Sequence, residues 1–334
     1  MDRDEIIRLL ATTDADEVRA LLKAADQTRR RLVGDEVYLR GIIEFSNHCV
    51  RNCRYCGLRR GNKALRRYRI PDDEVLDLAA RVRDAGIGTV VLQAGEDPAH
   101  TAEYICRLVR RIKDATGLTI TLSIGERSYG DYRAFKASGA DRYLLKHETA
   151  DPELYRRLHP DSDYDNRIRC LKWLKELGYE TGAGNMVGLP GQTLATLADD
   201  ILLMRELDID MIGIGPFIPH PDTPLKNAAV GDLGLVLKVI AVTRLVTGNT
   251  NIPATTALGA LDPEIRLGAL ASGANVVMPD FTPAHYKQHY EIYPGRSRVS
   301  SDIREVLAGL EKDLAGINLC IGQGSGGRRN RSDG

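Results

Sequence analysis

The chain has no charge excess, no long apolar run and no second pair of closely spaced cysteines. Lys+Arg and Asp+Glu number 46 each, for a formal net charge of zero. That excludes a nucleic-acid-binding protein held by bulk charge, though not a local charged pocket. No stretch approaches the roughly 18 uninterrupted apolar residues of a membrane helix. The charged start Met1-Asp2-Arg3-Asp4-Glu5 leads into no secretory signal. A soluble, cytoplasmic protein is expected, with no nucleic-acid or membrane partner. Without a second C-x2-C, a zinc site of paired knuckles lacks half its ligands.

What the chain has is alternation. Hydrophobic residues make up 43% of 334 positions, enough for a large core. Short runs rich in β-branched residues recur at Val37 to Phe45, Thr89 to Gln93, Leu118 to Ser123, Arg142 to Leu145, Thr181 to Val187, Met211 to Ile214, Ile252 to Thr256 and Asn275 to Met278. Between them, Val75, Leu78, Ala79 and Val82 share one helix face, as do Ile105, Leu108, Val109 and Ile112. Glycines such as Gly117 and Gly178 stand where helices should stop.

Strands alternating with helices imply a parallel sheet. The predicted fold is α/β, a complete (β/α)8 TIM barrel over 36–283. An open, doubly wound sheet is the alternative. Residues 1–35 read as an N-terminal helical extension. Residues 284–320 read as a C-terminal closing segment with a helix from Ser301 to Leu314. The glycine-rich, basic stretch 321–334 reads as a disordered tail.

Three of the six cysteines fall in CVRNCRYC, as Cys49, Cys53 and Cys56. In a reducing compartment such clustering points to metal rather than disulfide. The motif follows the first strand, at the end of a parallel sheet where active sites form. A cubane 4Fe–4S cluster normally takes four cysteines, so three leave one iron open to an exogenous chelator. Zinc with His48 as fourth ligand, or a dithiol at Cys53 and Cys56, remain alternatives. Cys106 and Cys170 fall on or beside apolar stripes and read as small buried hydrophobes.

The C-x3-C-x2-C loop, with aromatic Tyr55 before its last cysteine, resembles the radical S-adenosylmethionine (SAM) superfamily. The strings VGDEVYLRGIIEFSNHC, YCGLRRGNK, VLQAGEDP, DRYLLKHETA, GYETGAGNMVGLPGQT, GIGPFIPHPDTPL and NIPATTALG resemble the HydE family of FeFe-hydrogenase maturases. That family is related to biotin synthase and methylornithine synthase. The resemblance spans roughly residues 33 to 295.

It implies a full barrel and one 4Fe–4S cluster on Cys49, Cys53 and Cys56. It also implies reductive cleavage of SAM to a 5′-deoxyadenosyl radical, hence oxygen sensitivity. The substrate implied is an iron–cysteine complex bearing CO and cyanide, attacked at its sulfur during assembly of the hydrogenase diiron subcluster. HydG would supply it, HydF would receive the product, and a ferredoxin or flavodoxin would be the reductant.

The same resemblance assigns Gly95, Glu96 and Asp97 to the SAM amino group and Glu148 to the ribose hydroxyls. Arg167 is assigned to the SAM carboxylate, and the strand at Gly213 and Ile214 to the adenine edge. Tyr55 would shield the cluster and touch the adenine. Gln93, Thr121, Thr255, Thr256, Met278 and Tyr290 would line the barrel. Lys146 stands where the family is expected to carry arginine; it keeps the charge but loses the planar fork, so recognition of a substrate carboxylate would differ. No cysteines for an auxiliary cluster occur in YPGRSRVSSDIREVLAGL. A methylornithine synthase-like or other amino-acid mutase is the competing enzyme. A non-catalytic zinc or iron–sulfur protein is the competing class.

Overall fold

The computed structural model describes residues 1–295 and 303–328. Its strands are β1 (Glu36–Leu39), β2 (Gly41–Ser46), β3 (Thr89–Ala94), β4 (Thr119–Ser123), β5 (Arg142–Leu144), β6 (Glu180–Ala183), β7 (Met186–Val187), β8 (Met211–Ile212), β9 (Gly215–Pro216), β10 (Val276–Val277) and β11 (Cys320–Ile321). All named pairings are parallel. The main sheet runs β2-β3-β4-β5-β6-β8, beside a three-stranded sheet β10-β1-β11 and the pair β7-β9. Helices cover it, as alternation required.

Local chemistry explains the helices. The helix Ala102–Thr116 starts where the Thr101 side chain accepts the Tyr104 N–H, and stops at Gly117 with φ 69°. Its predicted face is its buried face: Ile105, Leu108, Val109 and Ile112 are all at 0% exposure. Each such side chain contributes about 2 kcal/mol of burial. The helix Asp72–Asp84 buries Val75, Leu78, Ala79 and Val82 in the same way.

The expected eight full strands are not all formed, and the ladders do not close into one continuous eight-stranded sheet. The run Val37 to Phe45 breaks at Arg40 into β1 and β2. The run Thr181 to Val187 breaks at Gly184, where an added Cβ would lie 2.0 Å from the Gly213 carbonyl oxygen. Ile252 to Thr256 forms no ladder among the described residues. Pro253 has no N–H to give, and Thr256 already opens the helix Thr256–Leu261. Isolated bridges stand there instead, Met211 to Asn251 and Pro253 to Val276, with a third from Ile42 to Asp280.

Two helices, Arg3–Ala11 and Ala15–Leu32, precede β1. The helix near the C-terminus spans Ile303–Gly316, two residues later than predicted at each end; 301 and 302 lie outside the described residues. Disorder from residue 321 is overturned for 321–328. Ile321 pairs with Val37. The Ser325 carbonyl accepts from Thr89 at 2.9 Å and Arg142 at 3.0 Å. The Gly326 carbonyl accepts from Arg40 and Asn251, both at 3.2 Å. Arg328 reaches Asp208 at 2.8 Å and Asp210 at 3.0 Å. This strap passes the N-terminal ends of the strands, where side-chain donors meet its carbonyls; 329–334 lie outside the described residues.

Candidate active site

The cysteine loop leaves β2 at Ser46 and is shaped by two side chains. Asn47 Nδ2 donates to the carbonyls of Arg66 at 2.8 Å and His289 at 2.7 Å. Arg67 donates to the carbonyls of Asn47 at 2.6 Å, Leu58 at 2.8 Å and Arg59 at 2.8 Å. Such charge-assisted bonds hold an irregular loop as a ladder holds a strand. The loop lies so close to the end of β3 that a Cβ on Gly95 would stand 2.3 Å from the His48 carbonyl oxygen and 2.7 Å from Cys49 Cβ. Gly95 is thus required for packing.

Cys49, Cys53 and Cys56 are each partly buried and unpaired. Burial pushes all three thiols up, Cys56 to about 12, and neighbouring cysteines add to the effect at Cys53 and Cys56. Three thiolates here need a compensating cation. Among the described residues no three His, Cys, Asp or Glu side chains stand close enough to hold one metal ion. A soft, multi-iron group fits this donor set.

The Glu148 carboxylate faces the loop and helps raise the pKa values of Cys53, Cys56 and Tyr55. It has φ 68°, a left-handed conformation that costs a non-glycine residue on the order of 1 kcal/mol or more. Its N–H donates to the Gly184 carbonyl at 2.9 Å. Lys146 Nζ lies 3.3 Å from Glu148 Oε2, yet that buried oxygen accepts no hydrogen bond. Arg167 is buried and gives Nε to Glu126 at 2.7 Å and Nη1 to the Lys146 carbonyl at 2.5 Å.

The Gly95-Glu96-Asp97 turn departs from its expected role in the side chains. Asp97 receives Arg69 at 2.7 and 2.9 Å, Ser46 at 2.6 Å and the Ala99 N–H at 3.0 Å. Burial raises its pKa, but these donors outweigh burial and hold it well below the usual carboxylate range. Glu96 accepts Arg51 at 2.5 Å and the Glu126 N–H at 3.1 Å. Both carboxylates are engaged by the protein, whereas the Gly95 carbonyl has no donor among the described residues.

Glu126 escaped sequence reading. It joins Arg51 at 3.1 Å, Asn166 at 2.8 Å and Arg167 at 2.7 Å. Its sole signal was its place just after the Leu118 to Ser123 strand.

Beside these groups opens a cavity of about 980 Å³, counted with its mouth. Gln93, Thr121, Lys146, Gly213, Thr255, Thr256 and Met278 all line it. Arg40, Met186 and Met211 join them without having been foreseen, and Tyr293 lines it as well. The Thr121 and Thr255 hydroxyls are buried without partners. Tyr290 stands behind the wall, its hydroxyl accepting from Gln93 at 3.2 Å. The Ile214 side chain is fully buried in the core, which leaves its backbone for any contact with a base. Cys106 and Cys170 are buried as expected.

Known proteins match this architecture. Residues 43–204 match the model of the radical SAM superfamily. The [FeFe] hydrogenase maturase subunit HydE of Thermotoga maritima is 49% identical over 327 residues, 98% of this chain and 94% of that protein. The 3-methylornithine synthase of Methanosarcina barkeri is 30% identical over 319 residues, 92% and 88% of the two chains. The crystal structure of a methylornithine synthase superposes with a TM-score of 0.83 at 25% identity, covering 96% of this chain and 94% of that one. No described helix is long and apolar enough to cross a membrane.

Proposed function

The chain belongs to the HydE family of radical SAM enzymes, and from that premise we propose that it serves FeFe-hydrogenase maturation by turning a SAM-derived radical on a small organometallic thiolate. The family works with a 4Fe–4S cluster and SAM. The observation that carries the proposal is the cysteine loop beside Glu148 and Arg167, with Arg167 bonded to the carbonyl of Lys146, which lines the cavity.

When bound, cluster and SAM supply one-electron reduction of a sulfonium and a 5′-deoxyadenosyl radical. The chain's part is placement. Cys49, Cys53 and Cys56 would hold three iron corners. Arg167, aligned by Glu126, offers a guanidinium to the SAM carboxylate. The unbonded Glu148 oxygen would accept the ribose hydroxyls. With both turn carboxylates engaged, the Gly95 carbonyl is the acceptor left for the SAM ammonium. Gly213 and the backbone of Ile214 would border the adenine.

The cavity combines the Thr121 and Thr255 hydroxyls with the thioethers of Met186, Met211 and Met278. Polar and soft contacts together suit a thiolate complex carrying small π-acid ligands. Lys146 would meet its carboxylate, with Gln93, Thr256 and Tyr290 shaping the wall. HydG is the proposed source of the substrate, HydF the recipient of the product, and a ferredoxin or flavodoxin the electron donor. We assign the scaffold to a closed (β/α)8 barrel: the bridges at Asn251, Pro253 and Asp280 lie where the remaining ladders would run.

A carbon-skeleton mutase acting on an amino acid is the second reading, favoured by the 30% identity to a methylornithine synthase. Anoxic reconstitution should yield 5′-deoxyadenosine on reduction. Complementation of a strain lacking its own HydE should restore hydrogenase. SAM cleavage without complementation selects the second reading; maturation retained by Cys53→Ala would refute both.

A further inference from the structure

His159 ends the helix Pro152–Leu158 as its C-cap and is 1% exposed. Its Nδ1 lies 3.0 Å from the Tyr155 carbonyl oxygen. A carbonyl only accepts, so Nδ1 carries the proton. In the neutral ring Nε2 is then an acceptor, and the Tyr55 hydroxyl donates to it at 2.8 Å. Burial, then the charge of Arg167, push the His159 pKa down to about 4, which keeps that tautomer in place near neutrality.

The ring is also fixed in plane. It stacks on Tyr155 at 4.1 Å and 24°, and Tyr55 meets it edge-on at 5.4 Å and 82°. The Arg167 guanidinium lies 5.7 Å from the Tyr155 ring centroid. The same segment holds the loop's main chain, for the Arg54 N–H donates to the Leu158 carbonyl at 2.9 Å. One side of the stack is therefore the proposed SAM-carboxylate arginine. The other is the aromatic between Cys53 and Cys56.

We infer that His159 is a positioning residue. It fixes the Tyr55 ring against the cluster and SAM, and through Tyr155 it ties that ring to Arg167. SAM binding and the cluster's surroundings are thereby coupled by one histidine that touches neither. The inference rests on the radical SAM reading of the loop.

The test uses the full chain, reconstituted anoxically. Electron paramagnetic resonance of the reduced cluster is read with and without SAM, beside SAM affinity, iron content and melting temperature. His159→Phe keeps a flat ring but removes the acceptor. Tyr55→Phe removes the donor, and probes the same bond if the histidine variant fails to fold. Each should weaken SAM binding about fivefold, the worth of one buried hydrogen bond. Each should also shift the SAM-bound spectrum in the same sense, and the double variant should equal either single. His159→Gln, which offers an acceptor again, should restore affinity to within about twofold.

Unchanged SAM-bound spectra and affinity in the singles would overturn the inference, as would strictly multiplicative losses in the double variant. A wild-type protein whose cluster spectrum ignores SAM would instead overturn the proposed function.

Discussion

Arg69 binds Asp97 with two nitrogens, Nε at 2.7 Å from one oxygen and Nη2 at 2.9 Å from the other. The pair joins the end of the cysteine loop to the turn after β3, and Ser46 completes it at 2.6 Å. Asp97 therefore reads as a brace. Asp97→Asn should destabilise the protein by about 2 kcal/mol, since it removes the charge Arg69 pairs with and replaces an acceptor oxygen of a buried side chain with a donor. Iron content should fall with it. SAM affinity per loaded cluster should stay within about twofold. Differential scanning calorimetry with iron analysis checks this, and a loss of SAM affinity at full stability would contradict it.

Gly95 makes a sharper case. An alanine methyl there meets the His48 carbonyl oxygen at 2.3 Å, and backbone cannot step aside cheaply. Gly95→Ala should fold but bind well under half the normal iron, measured by iron and sulfide assay after reconstitution.

Glu126 should matter for SAM through Arg167. Glu126→Gln keeps the shape but removes the charge that Arg51 and Arg167 share. SAM affinity should drop about tenfold, or 1.4 kcal/mol, with the cluster intact. Isothermal titration under anoxic conditions reads this directly.

Acid stability should depend on His100. Its ring is buried between Phe45 at 4.5 Å and Tyr104 at 4.9 Å. Burial brings its pKa down to about 4, against Asp97, which raises it. The unfolded chain binds that proton near pH 6.5. The stability it contributes is thus complete above pH 6.5 and lost as the pH falls toward 4. His100→Phe should stack in its place and flatten that part of the pH–stability curve. A slope unchanged between pH 6.5 and 4 would rule the histidine out.

Much of this was legible in the residues because burial and spacing are local. The face Ile105, Leu108, Val109 and Ile112 needed only a period of 3.6. The three cysteines needed only their spacing, whereas the cavity residues were assigned through the family resemblance. What stayed hidden was set by partners distant in sequence. Nothing local to Asp97 says that Arg69 will fill it, or that Glu126 will hold two arginines. Pro253 and Gly184 show the converse: two runs of strand-forming letters were interrupted, one by a missing donor and one by a crowded carbonyl.

The closing strap was misread for a related reason. Its glycines resemble a flexible tail, yet Ser325 and Gly326 are gripped through main-chain oxygens that any residue would possess. Swapping the Ser325 side chain for a methyl would leave its knot tied, so an alanine substitution there would pass unnoticed. Shortening the polypeptide would remove the floor beneath Arg40, which is plain peptide backbone.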